Sequence, residues 1–479
     1  MSASRDLALG GVRPVDGSGQ TLPYALPCDD LVTHGIVVGG TGSGKTGLLL
    51  VLVEEALRAK VPVILVDVKG DLSNLLLTFP ELDASAFAPW LDARGVRRGG
   101  QSIEAAAQDV ADAWRQKLAD WQLGAADVAT QRASIAGRVF TPGSQAAEPL
   151  SVLSSLERRS PLWDEDVEVA REALSASVSL LLRLMGRDPD PARSRDHVLL
   201  SILAERRLRA SESADVASLL NDVRTPPIEM VGAMPLAEFL PKRDRQALAT
   251  ALNTLLASPT FESWRSGGPV DVEAWFAPRE DGRTSATIIS VAHLDDDERS
   301  LVLGVLLEQV LAWVRTQPGT EELRALLVFD EVYGFVPPHP ANPPTKRPLV
   351  SLMKQARAFG LGVVLATQNP MDLDYRALSN AGLWCVGRLA TDADRERVVE
   401  ALADAAGSSA DAQTLSGVLK LLAPRWFLLR NVHQPQALWL LQSRTTLCWL
   451  RGPMTRTDLQ RLTGLNGSRG AKGIHDDSV

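Results

Sequence analysis

Residues 39–46 read Gly39-Gly40-Thr41-Gly42-Ser43-Gly44-Lys45-Thr46 and fit the pattern G-x-x-x-x-G-K-S/T. Such a run can hold a chain of phosphates. Glycines lacking Cβ let successive backbone N–H groups converge on phosphate oxygens, so Gly40, Thr41, Gly42, Ser43 and Gly44 are the expected lining. Lys45 supplies a point charge at the β- and γ-phosphates, and the Thr46 hydroxyl is an expected ligand of Mg²⁺. A helix opening at this point adds its positive N-terminal dipole.

Two further sites complete a hydrolytic set. Leu326-Leu327-Val328-Phe329-Asp330-Glu331 is an apolar run ending in two carboxylates. Asp330 is expected to hold Mg²⁺ and Glu331 to take a proton from the attacking water. A switch GTPase or small-molecule kinase has no need of the adjacent Glu331, whereas a rapid hydrolase does. Thr367-Gln368 ends the next apolar run, where the Gln368 amide can bond both the lytic water and a γ-phosphate oxygen.

Positioning these groups requires a parallel sheet. Residues 32–38 and 61–68 are apolar and β-branched, and between them lie the glycine turn and a helical pattern: one βαβ unit. Ile103, Ala107, Val110, Trp114, Leu118 and Trp121 recur at three- and four-residue intervals and predict a helix. A short strand is expected at 138–141. Residues 164–258 are Ala-, Leu- and Arg-rich and predict about four helices. Strand patterns return at 287–293, 323–329, 361–367 and 383–389. Residues 426–432 and 437–441 flank a His-Gln-Pro-Gln turn and predict an antiparallel hairpin. From Gly464 the chain reads as a frayed tail.

Composition excludes more than it identifies. The 479 residues are 45% hydrophobic and 23% charged, so general disorder and fibrous classes are excluded. A formal charge of −8 excludes a polycation that coats nucleic acid; any such contact needs a local basic surface. Cys28, Cys385 and Cys448 are far apart and odd in number, which suggests neither a disulfide framework nor a CxxC metal site. Residues 1–11 lack a signal-peptide pattern, and 301–314 is too short to span a bilayer. The expectation is a soluble, cytoplasmic protein with no membrane partner.

Taken in order, GGTGSGKT, VDVKGDL, VFDEV, KQARAFGLGVVLATQNP and VGRL resemble the HerA–FtsK superfamily of P-loop motor ATPases, and bacterial HerA-like proteins most closely. The resemblance runs from about Leu31 to Val399 and on into the hairpin. It implies an α/β fold: a RecA-like (ASCE) P-loop NTPase core with a mainly parallel sheet, an extra strand between the P-loop and Walker B strands, an α-helical insert domain and a C-terminal β-hairpin. The expected division is a lead-in over 1–30, core over 31–150, insert over 151–265, core again over 266–463 and a tail over 464–479. It further implies ATP and Mg²⁺ as cofactors and a ring, commonly a hexamer, that translocates double-stranded DNA beside an effector such as a nuclease.

Carried over by position, Lys45, Thr46, Asp330, Glu331 and Gln368 keep the roles given above. Arg357 falls at the arginine finger that enters a neighbouring subunit's site, and Arg388 is a second candidate for a γ-phosphate or interface role. Asp67, in Asp67-Val68-Lys69-Gly70-Asp71, stands either as an orienter of metal-bound water or as a plain loop carboxylate. HerA proteins commonly carry a β-barrel ahead of the P-loop, where about thirty residues stand here. That difference leaves a second function open, an ATPase that remodels a protein partner with DNA only as a trigger, in an antiviral complex or a secretion-type motor. For DNA contact the sequence offers Lys69, Lys346 and Arg347. Trp114, Trp121, Trp313 and Trp439 fit core packing better than base stacking.

Overall fold

The computed structural model describes residues 5–370, 373–406, 412–434 and 438–470. Eleven strands form one sheet: β1 Asp6–Arg13, β2 Leu22–Pro27, β3 Gly35–Val38, β4 Val63–Asp67, β5 Ile135–Phe140, β6 Thr284–Ser290, β7 Thr320–Phe329, β8 Phe359–Thr367, β9 Leu383–Val386, β10 Trp426–Asn431 and β11 Trp439–Ser443. Their spatial order is β2-β1-β11-β10-β9-β3-β8-β7-β4-β6-β5. From β9 to β5 every neighbour is parallel, and from β9 to β2 every neighbour is antiparallel. The strand carrying Gln368 therefore lies between the P-loop strand and the strand carrying Asp330, which is the extra-strand order of a RecA-like ASCE core.

The central parallel strands β3, β4, β8 and β9 are buried on both faces, which is why they read as nearly unbroken apolar runs. Ile36, Val38, Ile64 and Val66 enter the core on one face; Val37, Val63 and Leu65 enter the core on the other. Helix α1 (Lys45–Arg58) packs on the second face. The first face is covered by a helix over Asp296–Thr316 that is buried nearly all round. Above that helix sit the insert's long helices, Val167–Leu184, Arg195–Arg209, Val216–Arg224 and Lys242–Ala257. Asp166, Ser194 and Asp215 cap the first three with side-chain oxygens that accept N–H donors three residues on. No helix among the described residues is long and apolar enough to cross a membrane.

Two segments differ from the sequence reading. The lead-in is not irregular: β1 and β2 form a hairpin that continues the sheet beyond β11. Its alternation was masked by glycines and prolines, because edge strands tolerate proline. The tail reading from Gly464 conflicts with a helix over Arg456–Gly470, while residues 471–479 lie outside the described residues. The hairpin over β10 and β11 forms as expected, although 435–437, part of its turn, lie outside the described residues.

A buried ion cluster fastens the antiparallel side to the P-loop helix. Arg444 donates to Glu54 Oε2 at 2.9 Å and to Glu55 Oε1 at 2.8 Å. Glu54 Oε1 also accepts the N–H groups of Leu447 and Cys448 at 2.7 and 2.8 Å, and Glu55 Oε2 accepts Ala8 N at 3.0 Å. Glu54 is fully buried. Replacing it by Ala takes away one of the two carboxylates that balance buried Arg444 and leaves two buried N–H donors unanswered, so Glu54→Ala is expected to cost about 3–5 kcal/mol. Urea unfolding of the variant beside the wild type checks this.

Candidate active site at the carboxyl edge of the sheet

The register brings the strand ends to one level. Val38 of β3 pairs with Thr367 of β8 and Val386 of β9, while Phe329 of β7 pairs with Leu365 of β8 and Val66 of β4. The turns leaving β3, β4, β7 and β8 therefore open side by side, at the edge where parallel α/β sheets bind ligands.

The glycine turn is held in a shape that side chains would spoil. Gly42 and Gly44 have φ of +76° and +97°, in the left-handed region. A Cβ on Gly39 would lie 2.6 Å from Ser43 Oγ, and one on Gly44 would lie 3.0 Å from the backbone nitrogen of Arg425. Gly40 N donates to Arg388 O at 2.9 Å, and Arg425 N donates to Ser43 O at 2.8 Å. Lys45 is buried and donates from Nζ to Gly39 O at 2.5 Å, so it folds back over the turn. The Ser43 hydroxyl is buried with no hydrogen-bond partner among the described residues. Glycines in the left-handed region at 42 and 44, close backbone approach at Gly39 and Gly44, and a buried, unanswered Ser43 hydroxyl fit a bound phosphate chain.

Thr46 lies half-buried in the first turn of α1, and Asp330 is 3% exposed at the end of β7. Burial, helped by the charges of Glu331 and Asp67 and opposed by Lys45, pushes the Asp330 carboxyl up to about 7. Burial likewise lowers the Lys45 ammonium, against the pull of Glu331 and Asp330. A crowded carboxylate of this kind gains from a cation. No group of three or more His, Cys, Asp or Glu among the described residues could hold a metal ion. Mg²⁺ carried by phosphates needs only one or two protein ligands, so Thr46 and Asp330 suit it.

Glu331 is the hub. Its backbone adopts φ +54°, an uncommon conformation for a residue other than glycine, and its N–H donates to Asp330 Oδ1 at 2.9 Å. Glu331 Oε1 accepts from Gln368 Nε2 at 2.8 Å, and Gln368 Oε1 accepts from Thr41 Oγ1 at 2.9 Å. Lys69 Nζ lies 2.6 Å from the same Glu331 oxygen and Lys45 Nζ 3.9 Å from it. The glycine turn, acidic pair and Gln368 thus form one connected network.

Asp67 spends its oxygens on its own loop. It accepts Gly70 N at 2.7 Å, Ser73 N at 3.3 Å and Ser73 Oγ at 3.2 Å. Burial pushes it up to about 6, opposed by those hydrogen bonds. Of its two possible roles, these bonds match the loop anchor.

The two arginines lie apart. Arg388 is exposed beside the glycine turn through its own carbonyl. Arg357 is exposed on a 3-10 turn, Ala356–Ala358, at the amino end of β8, so the length of that strand separates it from Gln368. Its charge falls instead on buried His34, which burial first and Arg357 second hold down at about 4. It is not gathered into this chain's own site.

The candidate DNA cations are all engaged in ion pairs. Lys346 is buried in the first turn of a helix over Lys346–Gln355 and pairs with Asp374 at 3.1 Å. Arg347 pairs with Glu172 of the insert and with Glu308 at 3.1 Å. Lys69 faces Glu331 rather than a groove. Trp114 and Trp313 are buried, while Trp121 and Trp439 are half-buried. Arg425 neighbours the site without any mark along the chain that would announce it. It reaches the glycine turn only through tertiary folding of β10, with no motif around it.

Residues 18–80 match the family model described as Helicase HerA-like C-terminal, a segment from β2 through the turn after β4. No curated protein matches the chain. Among solved structures, the chain is similar to the bacterial conjugative coupling protein TrwBdeltaN70 in its unbound monoclinic form, at 14% identity and TM-score 0.49 over 90% of this chain and 88% of that one. It is similar to VirB4 of Thermoanaerobacter pseudethanolicus at 14% identity and TM-score 0.49, over 92% of this chain and 96% of that one. The genome packaging NTPase B204 from Sulfolobus turreted icosahedral virus 2 is 16% identical, with TM-score 0.23 over 33% of this chain and 67% of that one.

Proposed function

We infer that the chain is a HerA-like P-loop ATPase, the hydrolysing subunit of a ring motor. One observation carries this reading: Thr41, Gln368, Glu331 and Lys45 join the phosphate cradle, the acidic strand end and the intervening strand in a single network. In this reading the triphosphate of ATP lies on residues 40–46 with Lys45 at its β- and γ-phosphates. Thr46 and Asp330 would hold Mg²⁺, which neutralises charge on the phosphates. Glu331 takes the proton of the attacking water, and Gln368 bonds that water and the γ-phosphate. Because Gln368 also touches Thr41, loss of the γ-phosphate is felt across two strands at once.

The core comprises residues 31–150 and 266–463, with 151–265 riding on it as the insert. Arg357 serves the neighbouring subunit, and Arg388 sits at the rim of the cradle. The ring, in this reading a hexamer, moves double-stranded DNA in the cytoplasm and works beside an effector such as a nuclease. One observation favours the second reading, a motor that remodels a protein partner with DNA only as a trigger: Lys69, Lys346 and Arg347 are all held in ion pairs.

ATP turnover with and without double-stranded DNA separates the two. A translocase is expected to accelerate severalfold, with a DNA affinity that falls steeply as salt rises. A rate indifferent to DNA transfers the assignment to partner remodelling.

A further inference from the structure

Two donors meet at one oxygen, with a second ammonium nearby. Glu331 Oε1 receives Gln368 Nε2 at 2.8 Å and Lys69 Nζ at 2.6 Å, with Lys45 Nζ at 3.9 Å. One ammonium and one amide N–H aimed at a point, with the charge of a second ammonium 3.9 Å away, form a place for an anionic oxygen. The carboxylate of Glu331 lies there, the same group that must be free to accept a proton from water.

The two lysines differ in what they can do next. Lys45 is 6% exposed and tied to Gly39 O. Lys69 has a side chain 44% exposed on a turn whose backbone is pinned at both ends. Gly70 has φ +90°, donates to Asp67 Oδ1 at 2.7 Å and accepts Met454 N at 3.0 Å. A Cβ on Gly70 would meet Met454 backbone atoms at 3.4 Å. The anchor of Lys69 is therefore fixed beside the cradle while its ammonium can change partner.

We propose that Lys69 is a positioning residue that senses the γ-phosphate: it pairs with Glu331 until a triphosphate binds, then moves its charge to the γ-phosphate and releases the Glu331 carboxylate to the lytic water. The inference rests on residues 39–46 being the triphosphate cradle. A diphosphate lacks the group that Lys69 would meet, so Lys69 bears on ATP binding and not on ADP binding.

The full-length chain, Lys69→Met, Lys69→Arg and Lys45→Ala are titrated with fluorescent ADP and with a non-hydrolysable ATP analogue, both with Mg²⁺. Lys69→Met is expected to weaken the ATP analogue about tenfold, the worth of one charge-assisted hydrogen bond, and to leave ADP within about twofold. Lys69→Arg, which keeps the charge, is expected to retain most of the preference. A purely structural role would weaken both nucleotides alike. Equal loss, no change or a gain in ATP-analogue affinity for Lys69→Met overturns the proposal. If Lys45→Ala also binds both nucleotides as the wild type does, the cradle reading itself has failed, a result distinct from failure at Lys69 alone.

Discussion

Glu331→Gln is expected to lower ATP turnover by about 10²–10⁴, the usual worth of a positioned general base, while nucleotide binding persists. The amide has nearly the carboxylate's shape and can still accept from Gln368 Nε2, which lies 2.8 Å away. What it lacks is the basic lone pair and the charge. Binding survives because the cradle and the Lys45–Gly39 contact do not depend on Glu331. Single-turnover hydrolysis and a nucleotide titration on the same preparation read the two quantities separately. Undiminished turnover in a variant that binds ATP would remove Glu331 from the base role. Loss of binding together with turnover would instead signal a collapsed site, because Glu331 is the hub to which Lys69, Gln368 and Lys45 all turn.

The legible part of the site lies in its strand-end motifs. Residues 39–46 and the pair Asp330-Glu331 could be read because each sits on a backbone feature with its own sequence mark: glycines at positive φ in one case, an apolar run broken by two carboxylates in the other. Gln368 was legible only by order along the chain, yet its hydrogen bonds to Glu331 and from Thr41 join residues far apart in sequence. The central parallel strands are legible, with ends shifted by a few residues, because burial on both faces leaves a nearly continuous apolar text.

The missed features depend on partners that a sequence does not display. Lys69, Lys346 and Arg347 look alike as loop cations, and their difference comes from Glu331, Asp374 and Glu308 arriving from other elements. Arg425 and Arg444 gave no sign of contact with the glycine turn or with Glu54 and Glu55. The β1–β2 hairpin was obscured because Pro23 and Pro27 sit on an edge strand, where proline costs no ladder bond.

Arg357 supplies the test of whether the work is done by a ring. β8 has nine residues, which at ~3.3 Å per residue separates Arg357 from Gln368 by roughly 30 Å along the strand. No side-chain rotation closes that gap, so Arg357 does not reach this chain's own cradle, and a finger role requires a second copy. Arg357→Ala is expected to lower turnover by about 10³–10⁵, the range for a finger that neutralises charge on the transferring phosphoryl group. Lys45→Ala is expected to be inactive for a different reason, loss of phosphate contact. In a ring built from head-to-tail interfaces, each active site takes its cradle from one subunit and its finger from the next. An equal mixture of the two inactive variants therefore leaves about a quarter of interfaces with both groups intact, and activity should reappear on mixing. Particle masses measured on the same mixture establish that rings have formed and exchanged subunits. Intact mixed rings without any recovered turnover would place the function of Arg357 elsewhere, whereas Arg357→Ala rings with full activity would show that no finger is needed.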